Sequence, residues 1–200
     1  MAKLICLEGV IGSGKTTQLQ LLYAHLHPDA HFVPELNQFS PLKDAIAEWK
    51  KKLTDNTVKF SKEDITNLAH ARAVTQQNIL SQISPVRYVL FDRSVYTSIV
   101  YDAGEVEPEE IEEINRNAGV IFPDKGIILN CPTDEALRRV DKRRREEGNY
   151  ATRSIHETPE EIDKRRQFYL QIHQQHPELA LVDATRTIES VFADVLKVIQ

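Results

Sequence analysis

Residues 9–16 read Gly-Val-Ile-Gly-Ser-Gly-Lys-Thr, which places Gly9, Gly14, Lys15 and Thr16 at the spacing G-x-x-x-x-G-K-[ST]. An apolar run at 4–7 precedes this octapeptide and suits a buried strand, and residues 17–26 carry Leu19, Leu22, Tyr23 and Leu26 on a helical stripe. Strand, glycine loop and helix in that order build an anion cradle. Glycines let successive backbone N–H groups close on phosphate oxygens, the lysine adds a point charge, and the threonine hydroxyl reaches a magnesium ion. Val10, Ile11, Gly12, Ser13 and Thr17 complete the segment whose backbone faces the phosphates.

The rest of the chain repeats the alternation. Apolar runs at 31–33, 88–91, 126–130 and 179–182 are separated by helical patterns, which predicts a parallel sheet covered by helices. Ser61 opens a long helix with Ile65, Leu68, Ala69, Ile79 and Ile83 near one face, interrupted by Arg72. Another begins at Thr158, with Pro159 in its first turn and Glu161 closing a capping box, and Pro177 marks its end. A third follows Thr187, with Ile188, Val191, Val195 and Ile199 facing inward. With 200 residues, 41% of them hydrophobic, and no linker-like stretch, a single domain over 1–200 is expected.

Charge and cysteine content exclude several classes. Lysine and arginine number 25 against 30 aspartates and glutamates, a net −5, which argues against a nucleic-acid partner bound through summed phosphate contacts. Cys6 and Cys131 lie in apolar runs without metal-ligand spacing and read as buried free thiols of a reducing cytosol. No apolar run approaches the roughly 20 residues of a membrane helix, and the amino terminus has strand character without a signal-peptide pattern. A cytoplasmic protein with no membrane partner is expected.

In open parallel sheets ligands collect beyond the carboxyl ends of the strands. Asp92-Arg93-Ser94 ends the run at 88–91, where an aspartate can hold magnesium and an arginine can grip a phosphate. Glu35 follows the second run and is open to two roles, general base for a hydroxyl or partner of a cation. Residues 142–147 form the densest charge cluster, Lys-Arg-Arg-Arg-Glu-Glu, and lead through Gly148 and Asn149 to Arg153. Such runs are usually solvated helix faces. This one ends before the Thr158 cap, where a mobile lid over about 142–157 can bring arginines onto phosphates.

LEGVIGSGKTTQ, DRSVYTSIVYDAG, EEIEEINRNAGVIFPDKGIILNCPTDEALRRV and YLQIHQQHPELALVDATRTIESV make the chain resemble the thymidylate kinase family, in the wider group that includes the deoxynucleoside kinases. The similarity covers nearly the whole length. It implies an α/β three-layer P-loop kinase fold, with a five-stranded parallel sheet, helices on both faces and a short lid. It implies ATP and Mg2+ as cofactors and a homodimer formed through helices. By the same resemblance Lys15 and Arg93 bind phosphate, Arg72 addresses the pyrimidine base, and Tyr101 lies near the deoxyribose. The phosphate loop contains no arginine, so catalytic arginines are expected from the lid, with Arg143, Arg145 and Arg153 as candidates.

Two positions depart from the family. Ile11 stands where thymidylate kinases usually carry an acidic residue, and Val33-Pro34-Glu35-Leu36 stands in place of an Arg-Glu-Pro turn. EGVIGSGKT, DRS and Arg143-x-Arg145 are similar to the corresponding motifs of deoxynucleoside kinases. The expected activity is transfer of the γ-phosphoryl group of ATP to a deoxynucleoside monophosphate, dTMP first. The alternative is a deoxynucleoside kinase with Glu35 as base toward a 5′-hydroxyl. A nucleotide-binding switch module is disfavoured, because no N-K-x-D guanine-reading motif is present.

Overall fold

A computed structural model of the chain describes residues 2–51, 60–102, 106–148 and 157–199. The elements in order are β1 (Lys3–Glu8), α1 (Lys15–Leu26), β2 (Ala30–Val33), a 3-10 turn (Leu36–Gln38), α2 (Leu42–Lys51), α3 (Lys62–Leu80), β3 (Tyr88–Asp92), α4 (Val95–Asp102) and α5 (Pro108–Asn117). They continue with β4 (Lys125–Asn130), α6 (Thr133–Glu146), α7 (Pro159–Gln175), β5 (Leu179–Asp183) and α8 (Ile188–Ile199). Each apolar run of the sequence has become a strand. The strands form one five-stranded parallel sheet in the order β2-β3-β1-β4-β5, with helices around it. A parallel sheet covered on both faces buries consecutive residues rather than alternate ones. Ile5, Cys6, Leu7 and Glu8 are accordingly all buried, as are Ile127, Ile128 and Leu129.

The residues group into two compact units, one of Met1–Leu4 with Pro28–Pro123, the other of Ile5–His27 with Asp124–Gln200. In the first, β2 pairs with β3, α2 and α5 pack on α3, and α4 packs on α5. Ser61 caps α3 as expected: its hydroxyl accepts from Asp64 N, and the Asp64 carboxylate accepts from Ser61 N. Ile65, Leu68 and Ala69 are buried on its inner face. In the second unit β4 pairs with β1 and β5, α1 packs on α8, and α6 packs on α7. Cys6 and Cys131 are buried thiols, neither of them in a disulfide.

Helix α3 ends at Leu80, so Ile83, expected on its face, lies beyond it, and three further details differ from the sequence expectation. Tyr23 is exposed at the margin of the α1 stripe, its ring edge-on to His27 at 5.8 Å, while Leu19 and Leu22 are buried. Ile188, the first residue of α8, is 52% exposed, and its backbone carbonyl accepts from Gln18 Nε2 at 3.1 Å. Thr158 does cap α7, accepting from Glu161 N at 3.3 Å, but the Glu161 carboxylate turns to Arg165 at 2.9 Å. An arginine one turn along the helix is a stronger partner for that carboxylate than a backbone amide.

Candidate nucleotide-binding site

The glycine loop connects β1 to α1, and its backbone is held in conformations that side chains resist. Gly9 has φ +135° and Gly12 φ +77°. A Cβ on Gly9 would lie 2.8 Å from the Leu129 carbonyl oxygen, and one on Gly12 would lie 2.4 Å from the Ala136 carbonyl oxygen. The loop is thus pressed against β4 and the start of α6 as well as bent. Gly14, also left-handed, caps α1, and as a glycine it offers no side-chain acceptor to the first amides of that helix. Those amides and the positive end of the helix dipole therefore await an anion. Ser13 is buried, and its Oγ has no hydrogen-bond partner among the described residues.

Lys15 is buried at the base of the loop and donates to the carbonyls of Gly9 and Val10, each at 2.9 Å. Its charge is held where the loop closes. Thr16 and Thr17 follow on the exposed side of α1. The chemistry of this set, amides, one ammonium, one buried hydroxyl and two exposed threonine hydroxyls, fits a nucleotide's phosphates carrying magnesium. No group of three or more His, Cys, Asp or Glu capable of holding a metal occurs among the described residues. A nucleotide-borne magnesium does not require one, since it usually keeps several waters and takes one or two protein ligands.

Around the loop, the same unit supplies a frame that sequence reading missed. Arg139 of α6 donates through Nε to Glu135 at 2.7 Å and through its terminal nitrogens to the carbonyls of Ala184, at 2.7 Å, and Ser13, at 3.5 Å. Hydrogen bonds from Arg138 and then Arg139 hold the Glu135 carboxyl down at about 2, so it stays a counter-ion at any working pH. The Tyr169 hydroxyl of α7 donates to the buried Glu8 carboxylate at 3.0 Å, and Arg166 donates through Nε to Asn130 Oδ1 at 2.8 Å. Arg143 and Arg145 are exposed near the end of α6, whereas Arg144 between them is half-buried and paired with Glu157 at 3.2 Å. Arg153 lies outside the described residues.

The first unit gathers the other predicted residues. Asp92 ends β3, and Arg93 after it has φ +68°, a left-handed conformation that costs a non-glycine residue about 1–2 kcal/mol. Arg93 Nε is ion-paired with Glu35, and its guanidinium lies 5.6 Å from the centre of the Tyr101 ring. Asn37 donates to the second Glu35 oxygen at 2.9 Å. Of the two roles open to Glu35, the structure displays that of a cation's partner.

Arg72 is buried. Its terminal nitrogens donate to Asn115 Oδ1 on α5 and Ser98 Oγ on α4. Asn115 is itself fully buried and donates to the Ile111 carbonyl at 2.7 Å. Asp102, one helical turn beyond Ser98, takes a hydrogen bond from Ser98 and feels the Arg72 charge, yet burial outweighs both and pushes its carboxyl up to about 6. Arg72, Ser98, Asp102 and Asn115 thus form one polar cluster that brings α3, α4 and α5 together. In the sequence the cluster shows as Arg72 interrupting the apolar face of α3 and as the i,i+4 spacing of Ser98 and Asp102.

A parallel α/β sheet with a closed glycine loop, a buried loop lysine and an uncapped helix behind it defines a P-loop nucleotide-binding protein. The thymidylate kinase family matches residues 7–195, and the chain belongs to that family. A thymidylate kinase of Symbiobacterium thermophilum is 30% identical over 100% of this chain and 94% of its own length. One of Latilactobacillus sakei is 28% identical over 100% and 95%, and a probable thymidylate kinase of Pyrococcus horikoshii is 26% identical over 98% and 95%.

Proposed function

We propose that the protein transfers the γ-phosphoryl group of ATP to dTMP, giving ADP and dTDP. The observation that carries this reading is the complete phosphate cradle around Lys15 in a chain matched to thymidylate kinases from end to end. The loop amides and Lys15 bind the donor phosphates, and Lys15 exchanges the two loop carbonyls for phosphate oxygens when ATP arrives. Thr16, with support from Asp92, would hold Mg2+, which would supply charge neutralisation on the phosphates. Arg93 binds the acceptor phosphate, with Tyr101 beside the sugar and Arg72 toward the base. Exposed Arg143 and Arg145, together with Arg153, are the lid cations that cover the spreading charge. No general base is required, because the accepting phosphate is already anionic.

Residues 1–200 act as one kinase domain in this reading, in a cytoplasmic homodimer. No helix among the described residues is long and apolar enough to cross a membrane. A nucleoside acceptor is less well supported, since both Glu35 oxygens are engaged, one by Arg93 and one by Asn37. The test is ADP release from Mg2+ and ATP across all deoxynucleoside monophosphates and deoxynucleosides. Stimulation by dTMP above every other acceptor supports the proposal. Equal or greater stimulation by a nucleoside defeats it.

A further inference from the structure

We propose that Arg166 of α7 is a catalytic residue that contacts the transferring phosphoryl group, a cation outside the lid that serves the reaction proposed above. Its Nε is anchored on Asn130 Oδ1 at 2.8 Å, at the carboxyl end of β4. The side chain is half-buried, and among the described residues its terminal nitrogens have no hydrogen-bond or ion-pair partner. It shares the lining of a small cavity with Gly9, Val10 and Cys131 at the start of the phosphate loop. Gly9 and Val10 are the residues whose carbonyls hold the Lys15 ammonium, so Arg166 and the backbone that anchors Lys15 line the same small, mainly apolar cavity.

Other described arginines near the loop are committed or exposed. Arg139 is bound to Glu135 and Ala184, Arg144 to Glu157 and Arg165 to Glu161, while Arg143 and Arg145 are exposed. Arg166 differs from all of them: it is partly desolvated, oriented by one neutral amide, and lacks a carboxylate. Its terminal nitrogens are not among the buried side-chain atoms left without a partner, so they stay open to solvent and to an incoming anion. Asn130 also uses up the one donor that points along the stem, leaving the planar pair of terminal nitrogens for a bidentate grip on phosphate oxygens.

The chemistry at Arg166 is electrostatic. The bond from the γ-phosphorus to the bridging oxygen of ADP breaks, a bond to an oxygen of the acceptor phosphate forms, and Arg166 donates hydrogen bonds to the equatorial oxygens throughout without losing a proton. Tyr169, on the same helix, fixes α7 to Glu8 at 3.0 Å and so keeps Arg166 in place.

Arg166→Ala and Arg166→Lys test the assignment, with thermal unfolding as a check that both fold. Binding of the non-hydrolysable triphosphate AMP-PNP and of ADP is measured by calorimetry with Mg2+ and no acceptor, so an error in the acceptor leaves this test intact. The expected result is a loss of about tenfold or more in AMP-PNP affinity with ADP affinity unchanged, and a fall in kcat of about a hundredfold. Guanidinium ion added to Arg166→Ala recovers part of kcat, and Arg166→Lys retains less activity than that recovery if the planar grip matters. Equal losses for AMP-PNP and ADP, or a kcat within threefold of wild type, overturn the proposal. Should Arg166→Ala not fold, the same comparison on Arg166→Lys decides it.

Discussion

Replacing Arg72 by methionine isolates what a buried cation does in the α3–α4–α5 cluster. Methionine keeps most of the stem's volume. It removes the guanidinium that donates to Asn115 and Ser98 and that restrains the rise of the Asp102 pKa. Breaking a buried pair by deleting one partner costs about 3–5 kcal/mol, a large share of an ordinary stability of about 5–15 kcal/mol. The pH dependence separates this cluster from generic packing loss. Burial raises the Asp102 pKa from 3.8 to about 6 in the folded chain. The folded carboxyl therefore holds its proton more tightly than the unfolded one. Stability from this group is complete below about pH 4 and is lost as pH rises to about 6, a difference of about 3 kcal/mol.

Above that range the wild-type contribution is level. Without Arg72 the folded pKa of Asp102 moves higher still, so stability continues to fall past pH 6 at about 1.4 kcal/mol for each further pH unit. Urea unfolding between about pH 5 and 8 reads this slope in wild type, Arg72→Met and Arg72→Met with Asp102→Asn, and the double variant abolishes the added slope. Parallel curves for wild type and Arg72→Met above pH 6 would refute the linkage of Arg72 to Asp102.

Gly12→Ala sets a Cβ 2.4 Å from the Ala136 carbonyl oxygen at φ +77°, which costs about 1–2 kcal/mol for the backbone and about 1–3 for the overlap. ATP affinity measured by calorimetry should fall at least about tenfold, and an unchanged affinity would mean that the loop is not the donor site. Arg93→Gln removes the partner of Glu35 and the proposed phosphate grip, and should raise the KM for dTMP by about tenfold or more while leaving the KM for ATP within about twofold; equal rises in both contradict the assignment. Glu35→Gln should leave any residual activity on nucleosides unchanged, and its abolition would show that Glu35 is a base after all. Tyr169→Phe deletes the 3.0 Å bond to Glu8 and should lower stability by about 1–2 kcal/mol in a denaturant melt, so a midpoint equal to wild type would show that the bond contributes nothing.

The strands were legible because both faces of a parallel sheet are covered, so Ile5, Cys6 and Leu7 are buried in succession and read as one apolar run. The glycine loop was legible because its function fixes both residue type and spacing. Arg72's partners were not: Ser98 lies 26 residues away and Asn115 lies 43 away, on helices whose own periodicity says nothing of α3. Arg166 was hidden for a different reason. It stands in the run Asp163-Lys164-Arg165-Arg166, which reads as a solvated face, yet Arg165 is buried and Arg166 half-buried. In the cluster at 142–147 the sequence drew a lid from 142 onward. Helix α6 runs to Glu146, and its 3.6-residue period turns Arg144 inward to Glu157 while Arg143 and Arg145 point to solvent. Charge runs conceal their inner member because composition alone does not reveal helical phase.

The most direct test of the account follows the phosphorus itself. With γ-labelled ATP, Mg2+ and an equimolar mixture of dTMP and thymidine, the label should appear as the β-phosphate of dTDP, with none on thymidine before dTDP forms, and substitution of Lys15 by alanine should abolish the transfer. Label arriving first on thymidine, or released as inorganic phosphate regardless of acceptor, would contradict it.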